Sequence, residues 1–282
     1  MQIKHRLFAR PAMDGDGVNI RRVADFERLQ LDPFLMVDEI KSDDSSDYIG
    51  GFPPHPHRGI ETFTYIRKGG FEHRDHMGNV RAIRAGDVQW MSTGSGVIHS
   101  EMPLADAKEG LHGFQIWLNM PAKDKMRPAR YQDSSAMAKP RHDNGRGASL
   151  YPLGGQWQFE GEKVDGLIQG LAADGAVADL SLEPQGRAKV DFSGFGFAGV
   201  YIHSGELKDS QGRSYFAGEY LQLEPAESEF IAGDQGAGVL LFGGNPIREA
   251  IVHMGPFVMN TQAEIQQAIR DYQQGKFGEQ SL

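Results

Sequence analysis

Thr62-Phe63-Thr64-Tyr65-Ile66-Arg67-Lys68-Gly69-Gly70 decides how this chain reads. Alternating β-branched and aromatic residues form a strand, and the glycine pair stops it. Its core, Tyr65-Ile66-x-x-Gly69, recurs as Tyr201-Ile202-x-x-Gly205. Downstream, Ala85-Gly86-Asp87 opens a strand in the first copy and Ala217-Gly218-Glu219 opens one in the second. The two intervals differ by four residues, which a shorter hairpin loop absorbs. Matched order makes duplication the reading, with two similar β-barrels in tandem.

The neighbouring sequence agrees. Val80-Arg81-Ala82-Ile83-Arg84, Val88-Gln89-Trp90-Met91 and Gly113-Phe114-Gln115-Ile116-Trp117-Leu118 are further short strands with turn residues between them. Spacing of roughly 8–12 residues suggests a sandwich or barrel. The 36 glycines are well above the usual share of about 7% and follow no fixed period, so they mark turns. One helix is expected, from Thr261 to Gly275. Thr261 caps it three residues before Glu264, and Ile265, Ala268, Ile269 and Tyr272 share a face. That face is too narrow to stand alone and should pack on a barrel. The polar stretch Ala122–Gly147 reads as an interdomain linker.

Composition removes several function classes. The chain of 282 residues, 39% hydrophobic and 24% charged, has enough apolar material for a core. No run approaches the roughly 18 apolar residues of a membrane span. No apolar segment follows Met1-Gln2-Ile3-Lys4-His5-Arg6, so no signal peptide is expected and a cytoplasmic location is. Zero cysteines exclude disulfides and thiolate sites. A net charge of −9 argues against direct binding of nucleic acid or anionic lipid. No GxGxxG follows a strand and opens a helix, and no Walker lysine or GxSxG elbow is present.

Chemistry concentrates in two pairs. His55-Pro56-His57 and His99-Ser100-Glu101 each place two potential ligands two residues apart, hence on one face of an extended chain. If the strands are neighbours, three imidazoles and a carboxylate converge, a set that suits Fe(II), Mn, Ni, Cu or Zn. Glu61 shares the parity of His57 if the strand is regular, as a further ligand or a support for one. Glu72-His73-Arg74-Asp75-His76-Met77-Gly78-Asn79 reads as a solvated hairpin tip. His112, His142, His203 and His253 read as structural or solvent-facing. In the second copy the equivalent positions hold Asp191, Ser193, Ile231 and Gly233, so that barrel should bind no metal. Its interior should be filled by Phe192, Phe195, Phe197, Tyr201, Leu221, Leu223 and Phe230.

Phe52-Pro53-Pro54-His55-Pro56-His57-Arg58-Gly59-Ile60-Glu61-Thr62 resembles the first metal motif of the pirins, a branch of the cupin superfamily. The stretch from Gly86-Asp87-Val88-Gln89-Trp90 through His99-Ser100-Glu101-Met102-Pro103 resembles the second. Gly243-Gly244-Asn245-Pro246-Ile247, Gly255-Pro256-Phe257-Val258-Met259-Asn260 and Asp271-Tyr272-Gln273-Gln274-Gly275-Lys276-Phe277-Gly278 also look like pirin signatures. The chain departs from the general cupin pattern where a proline precedes the second-motif histidine, and is Gly-Ser rich there, as in pirins.

The resemblance implies an all-β fold of two tandem cupin barrels (double-stranded β-helix, or jelly roll) with a C-terminal helix. Residues 1–125 would form the metal-binding domain, 126–147 the linker, and 148–282 a degenerate cupin domain carrying the helix. The implied metal is iron, Fe(II), held by His55, His57, His99 and Glu101, with Ni, Cu, Mn, Co or Zn as alternatives. Some pirins are quercetin 2,3-dioxygenases, so a ring-cleaving dioxygenase using O2 on a small aromatic enol is implied. Its 3-hydroxyl would bind as an enolate with Glu101 as catalytic base, and carbon monoxide would leave. Other pirins are described as regulators, which makes a redox-responsive module with a protein partner the alternative.

Overall fold

The computed structural model describes residues 1–26, 31–106 and 109–278. The chain forms two compact units, and neither is a continuous stretch of sequence. The first comprises Pro11–Gln30, Phe34–Ala136 and Ile247–Leu282; the second comprises Met1–Arg10, Leu31–Pro33 and Met137–Pro246.

In the first unit a seven-stranded antiparallel sheet runs in the order Arg130–Asp133, Val88–Ser92, Ile60–Lys68, Leu111–Asn119, Phe34–Ser42, Val18–Ala24 and Arg10–Asp14. A four-stranded sheet runs Phe52–His57, Val97–Pro103, Gly70–Asp75 and Val80–Arg84. The second unit is one sheet system built around the 18-residue strand Glu227–Gly244. That strand pairs with Arg187–Asp191 along its first part and with Ala176–Leu182 along its second. It also pairs with Phe197–Lys208. This all-β, two-barrel architecture is the one the repeat implies.

The repeat also shares its backbone chemistry. Gly69 and Gly205 both take left-handed angles, φ +76 and +71. A β-carbon on either would lie 2.5 Å and 2.1 Å from the carbonyls of Gly110 and Gly236 respectively, so only glycine fits. Gly86 N–H donates to the Ile66 carbonyl at 2.7 Å, and Gly218 N–H to that of Ile202 at 2.8 Å. The same turn is therefore closed on the same repeat residue in both copies.

The second unit's interior is apolar. Phe192, Leu221, Leu223 and Phe230 lie in one cluster with Trp157, Leu180, Val200, Ile202, Val239 and Leu241, and Phe195 packs against it. Phe197 and Tyr201 are buried outside that cluster. Tyr201 sits between the cluster residues Val200 and Ile202, and so on the opposite face of its strand.

Two boundaries differ from the sequence expectation. Part of the stretch read as linker is structured: Arg130–Asp133 adds an edge strand to Val88–Ser92, and the division between units falls at Ala136. The helix, Gln262–Gln273, belongs to the first unit rather than to the C-terminal barrel. Its cap is as read, with Thr261 Oγ1 accepting from Glu264 N–H at 3.2 Å. Ile265 and Ala268 are buried with Ile98, Phe257, Met259 and Phe277, while Ile269 and Tyr272 are partly buried on the same cluster. Chain order could not show this return, because an apolar helix face is satisfied by any complementary surface. Among the described residues no helix is long and apolar enough to cross a membrane.

Candidate metal centre

Both histidine pairs lie on adjacent antiparallel strands of the four-stranded sheet. His99 stands opposite His55, and Val97 opposite His57. On its other edge the Val97–Pro103 strand places Glu101 opposite His73 and His99 opposite Asp75. The imidazole centroids of His55 and His99 are 4.3 Å apart, those of His55 and His57 4.9 Å, and those of His57 and His99 5.1 Å. One potential ligand atom from each of these three lies within 4.8 Å of the others, and the same holds for His73, His99 and Glu101. Among the described residues both groups fall in the first unit.

The donor set fits a divalent metal. His57 and His99 are buried, and neither ring nitrogen of either has a hydrogen-bond partner. Buried polar atoms are normally satisfied, so two neighbouring imidazoles with unpartnered nitrogens call for an ion that takes one nitrogen from each. Burial holds both imidazoles well below the usual histidine range, and His55 adds to the effect at each. Neutral rings keep the lone pairs a metal needs. His55 Nδ1 lies 2.8 Å from the Pro53 carbonyl, so it donates there and Nε2 is the free ligand atom.

Glu101 is held from three adjacent strands. Its Oε1 accepts from Gln89 Nε2, and the Thr64 hydroxyl lies 3.0 Å from the same oxygen. Its Oε2 accepts from Gln115 Nε2 at 3.2 Å. Parity explains these partners: Thr64, Gln89 and Gln115 stand directly opposite one another across three paired strands. Polar side chains at alternate positions of otherwise apolar strands were the available signal, and the sequence reading missed it.

Two expectations are corrected. His73 is fully buried rather than at a solvated tip; its Nε2 lies 3.1 Å from Asp75 Oδ2 and its ring stacks on Tyr131 at 4.6 Å. Only Met77 and Gly78, at the turn, are exposed along with Arg74. Polar composition misleads here because strand pairing draws alternate residues, His73 and Asp75, inward. Glu61 does not share a face with His57. Gly59, at φ +81, interrupts the strand and resets its parity. The Glu61 carboxylate instead accepts from Trp90 Nε1 at 2.9 Å and Arg127 at 3.0 Å. His112 is buried against Glu39 at 2.9 Å and His203 against Asp179 at 3.1 Å, both as structural pairs.

A cavity of about 590 Å³ opens beside the centre, within the range that holds small ligands. His55, His57, Glu101 and Gln115 form one part of its wall. Ile20, Met36, Ile40, Phe52 and Trp117 make it largely apolar. Phe26 and His253, stacked at 4.1 Å, add a flat surface that the sequence did not reveal.

Residues 17–118 match the family model described as Pirin, and residues 177–278 that described as Pirin C-terminal cupin domain. A Vibrio cholerae protein named "Putative quercetin 2,3-dioxygenase" is 44% identical over 98% of this chain and 97% of its own. A solved quercetin 2,3-dioxygenase from Acinetobacter baumannii superposes with a TM-score of 0.86 at 29% identity, covering 99% of this chain and 98% of that one. A bacterial pirin from Escherichia coli, solved in complex with nickel(II), shares the fold at a TM-score of 0.59 and 21% identity, over 84% of this chain and 96% of its own.

Proposed function

The chain belongs to the pirin family, and from that we propose that it is a metal-dependent dioxygenase that opens the ring of a flavonol-like enol with O2. We assign the ion, Fe(II), to His55, His57, His99 and Glu101. The observation that carries the reading is the orphaned imidazole nitrogens beside a cavity of about 590 Å³ with largely apolar walls.

A bound divalent ion supplies Lewis acidity toward an enolic hydroxyl and activates dioxygen. The chain's own residues do the rest. The Pro53 carbonyl fixes the tautomer of His55, and burial keeps His57 and His99 neutral. Gln89, Thr64 and Gln115 orient the Glu101 carboxylate, which lines the cavity and accepts the proton of the substrate hydroxyl. Trp117, Phe52 and the aliphatic wall exclude water, which favours an oriented aromatic substrate and protects reactive species.

The test is elemental analysis followed by an anaerobic-to-aerobic quercetin assay on protein loaded with Fe(II), and in parallel with Ni, Cu, Mn, Co or Zn. Glu101→Gln should keep the fold and lower turnover about 100-fold or more, with a smaller loss of metal. Equal activity per bound ion in this variant would remove the base role. Full metal occupancy with no turnover of any flavonol would leave a binding or regulatory module as the reading.

A further inference from the structure

The polar row that steadies Glu101 does not end at Gln115. Gln115 stands opposite Asp38 on the next strand, and Asp38 opposite Arg22 on the one after. Gln89, Thr64, Gln115, Asp38 and Arg22 thus form a continuous row across five adjacent strands. The last three of them line the same cavity as His55, His57 and Glu101. Their same-face neighbours Ile20, Met36 and Ile40 are apolar, so the Arg22–Asp38 pair stands out on that wall. Burying such a pair has a desolvation cost that an apolar pair would avoid.

The pair has unused bonding capacity. Asp38 is buried and accepts from Arg22 Nε at 3.0 Å and from Nη2 at 2.8 Å, one bond to each carboxylate oxygen. Two of its roughly four acceptor positions therefore remain. Arg22 Nη2 also reaches Asp14 at 3.0 Å, while Nη1 makes no hydrogen bond among the described residues. Burial pushes the Asp38 carboxyl up to about 6 even though Arg22 pulls it down.

We propose that Asp38 and Arg22 are the specificity-determining subsite of this cavity and that they read a vicinal pair of phenolic hydroxyls on the ring far from the metal. This rests on the dioxygenase reading for the identity of the substrate. One hydroxyl donates to Asp38 and its neighbour accepts from Arg22 Nη1. Adjacent strands are about 4.8 Å apart, so the pair lies roughly 5–10 Å along the row from Gln115, the nearest partner of Glu101, the reach of two linked aromatic rings. Phe26 and His253 add a flat wall to the same cavity. Away from the metal the lining carries Asp14, Asp25 and Asp38 against Arg22, which favours a neutral, donor-rich ligand over an organic acid.

The test is anaerobic binding to Fe(II)-loaded protein of two flavonols, quercetin and 3,5,7-trihydroxyflavone, which lacks the two hydroxyls of the pendant ring. Quercetin should bind about 10- to 100-fold more tightly, the effect of hydrogen bonds to charged groups. In Asp38→Asn that preference should shrink to within about threefold. If the variant does not fold, the wild-type ratio decides, and a ratio near one overturns the subsite. A preference that persists in folded Asp38→Asn overturns it too, as does failure of both flavonols to bind. Aerobic turnover separates the two readings. Selective binding without turnover keeps the subsite and removes the dioxygenase, whereas turnover with equal affinities does the reverse.

Discussion

Replacing Phe277 by alanine tests whether the C-terminal segment is part of the unit that carries the candidate metal centre. Its ring is buried, with centroids 5.7 Å from both Phe257 and Tyr272, and the Arg58 guanidinium lies 4.5 Å from its centre. Arg58 follows His57 directly in the chain, donates to the Ser95 carbonyl at 2.7 Å, and pairs with Asp271 of the helix at 2.9 Å. Ile98, adjacent to His99, belongs to the same apolar cluster as Phe277. Truncating a buried phenylalanine costs about 3–5 kcal/mol. The lower figure, about 3 kcal/mol, is taken as the expected cost. In a unit of roughly 160 residues, 1 kcal/mol moves the midpoint by about 2–4 °C, which predicts a fall of about 6–12 °C. Scanning calorimetry with and without metal reads it, because bound metal raises the midpoint of the unit that binds it. A fall below about 2 °C, or a fall confined to a transition indifferent to metal, would refute the reasoning.

Three further outcomes follow from the same geometry. Arg58, with Lys276 and Gln267, holds the Asp271 carboxyl down at about 2. A depressed carboxylate stabilises the fold above about pH 4 and loses that contribution as pH falls toward 2, here about 2 kcal/mol, so Asp271→Asn should flatten the acid limb of urea stability between those values; an unchanged limb would exclude the link. His73→Gln should leave one metal per chain and weaken its affinity about 10- to 100-fold, as for a residue that supports the site; loss of all metal at saturating ion would make His73 a ligand instead. Elemental analysis should give one ion per chain, since Ile231 and Gly233 offer no side-chain ligand atom where the first copy has histidine and glutamate; two ions would show that the second unit binds metal too.

Parts of this protein were legible because they are local. The repeated Tyr-Ile-x-x-Gly motifs mark equivalent strands since a left-handed glycine is demanded at the same turn in both copies. The same-face pairs His55/His57 and His99/Glu101 follow from strand periodicity alone. The helix cap at Thr261 needs only residues three apart. Where the reading failed, a single backbone event or a distant partner intervened: Gly59 turned Glu61 away from the site, and strand pairing carried His73 and Asp75 inside.

By itself, then, the amino-acid sequence determined the all-β repeat, the two same-face pairs of candidate ligands, and the helix with its apolar face. Tertiary structure alone decided that the helix packs within the first unit, and that Gln89, Thr64, Gln115, Asp38 and Arg22 stand in one row across five strands. The reason is physical. Side-chain direction along a strand is set within a few residues, but the neighbour across a sheet is set by register between segments far apart in the chain.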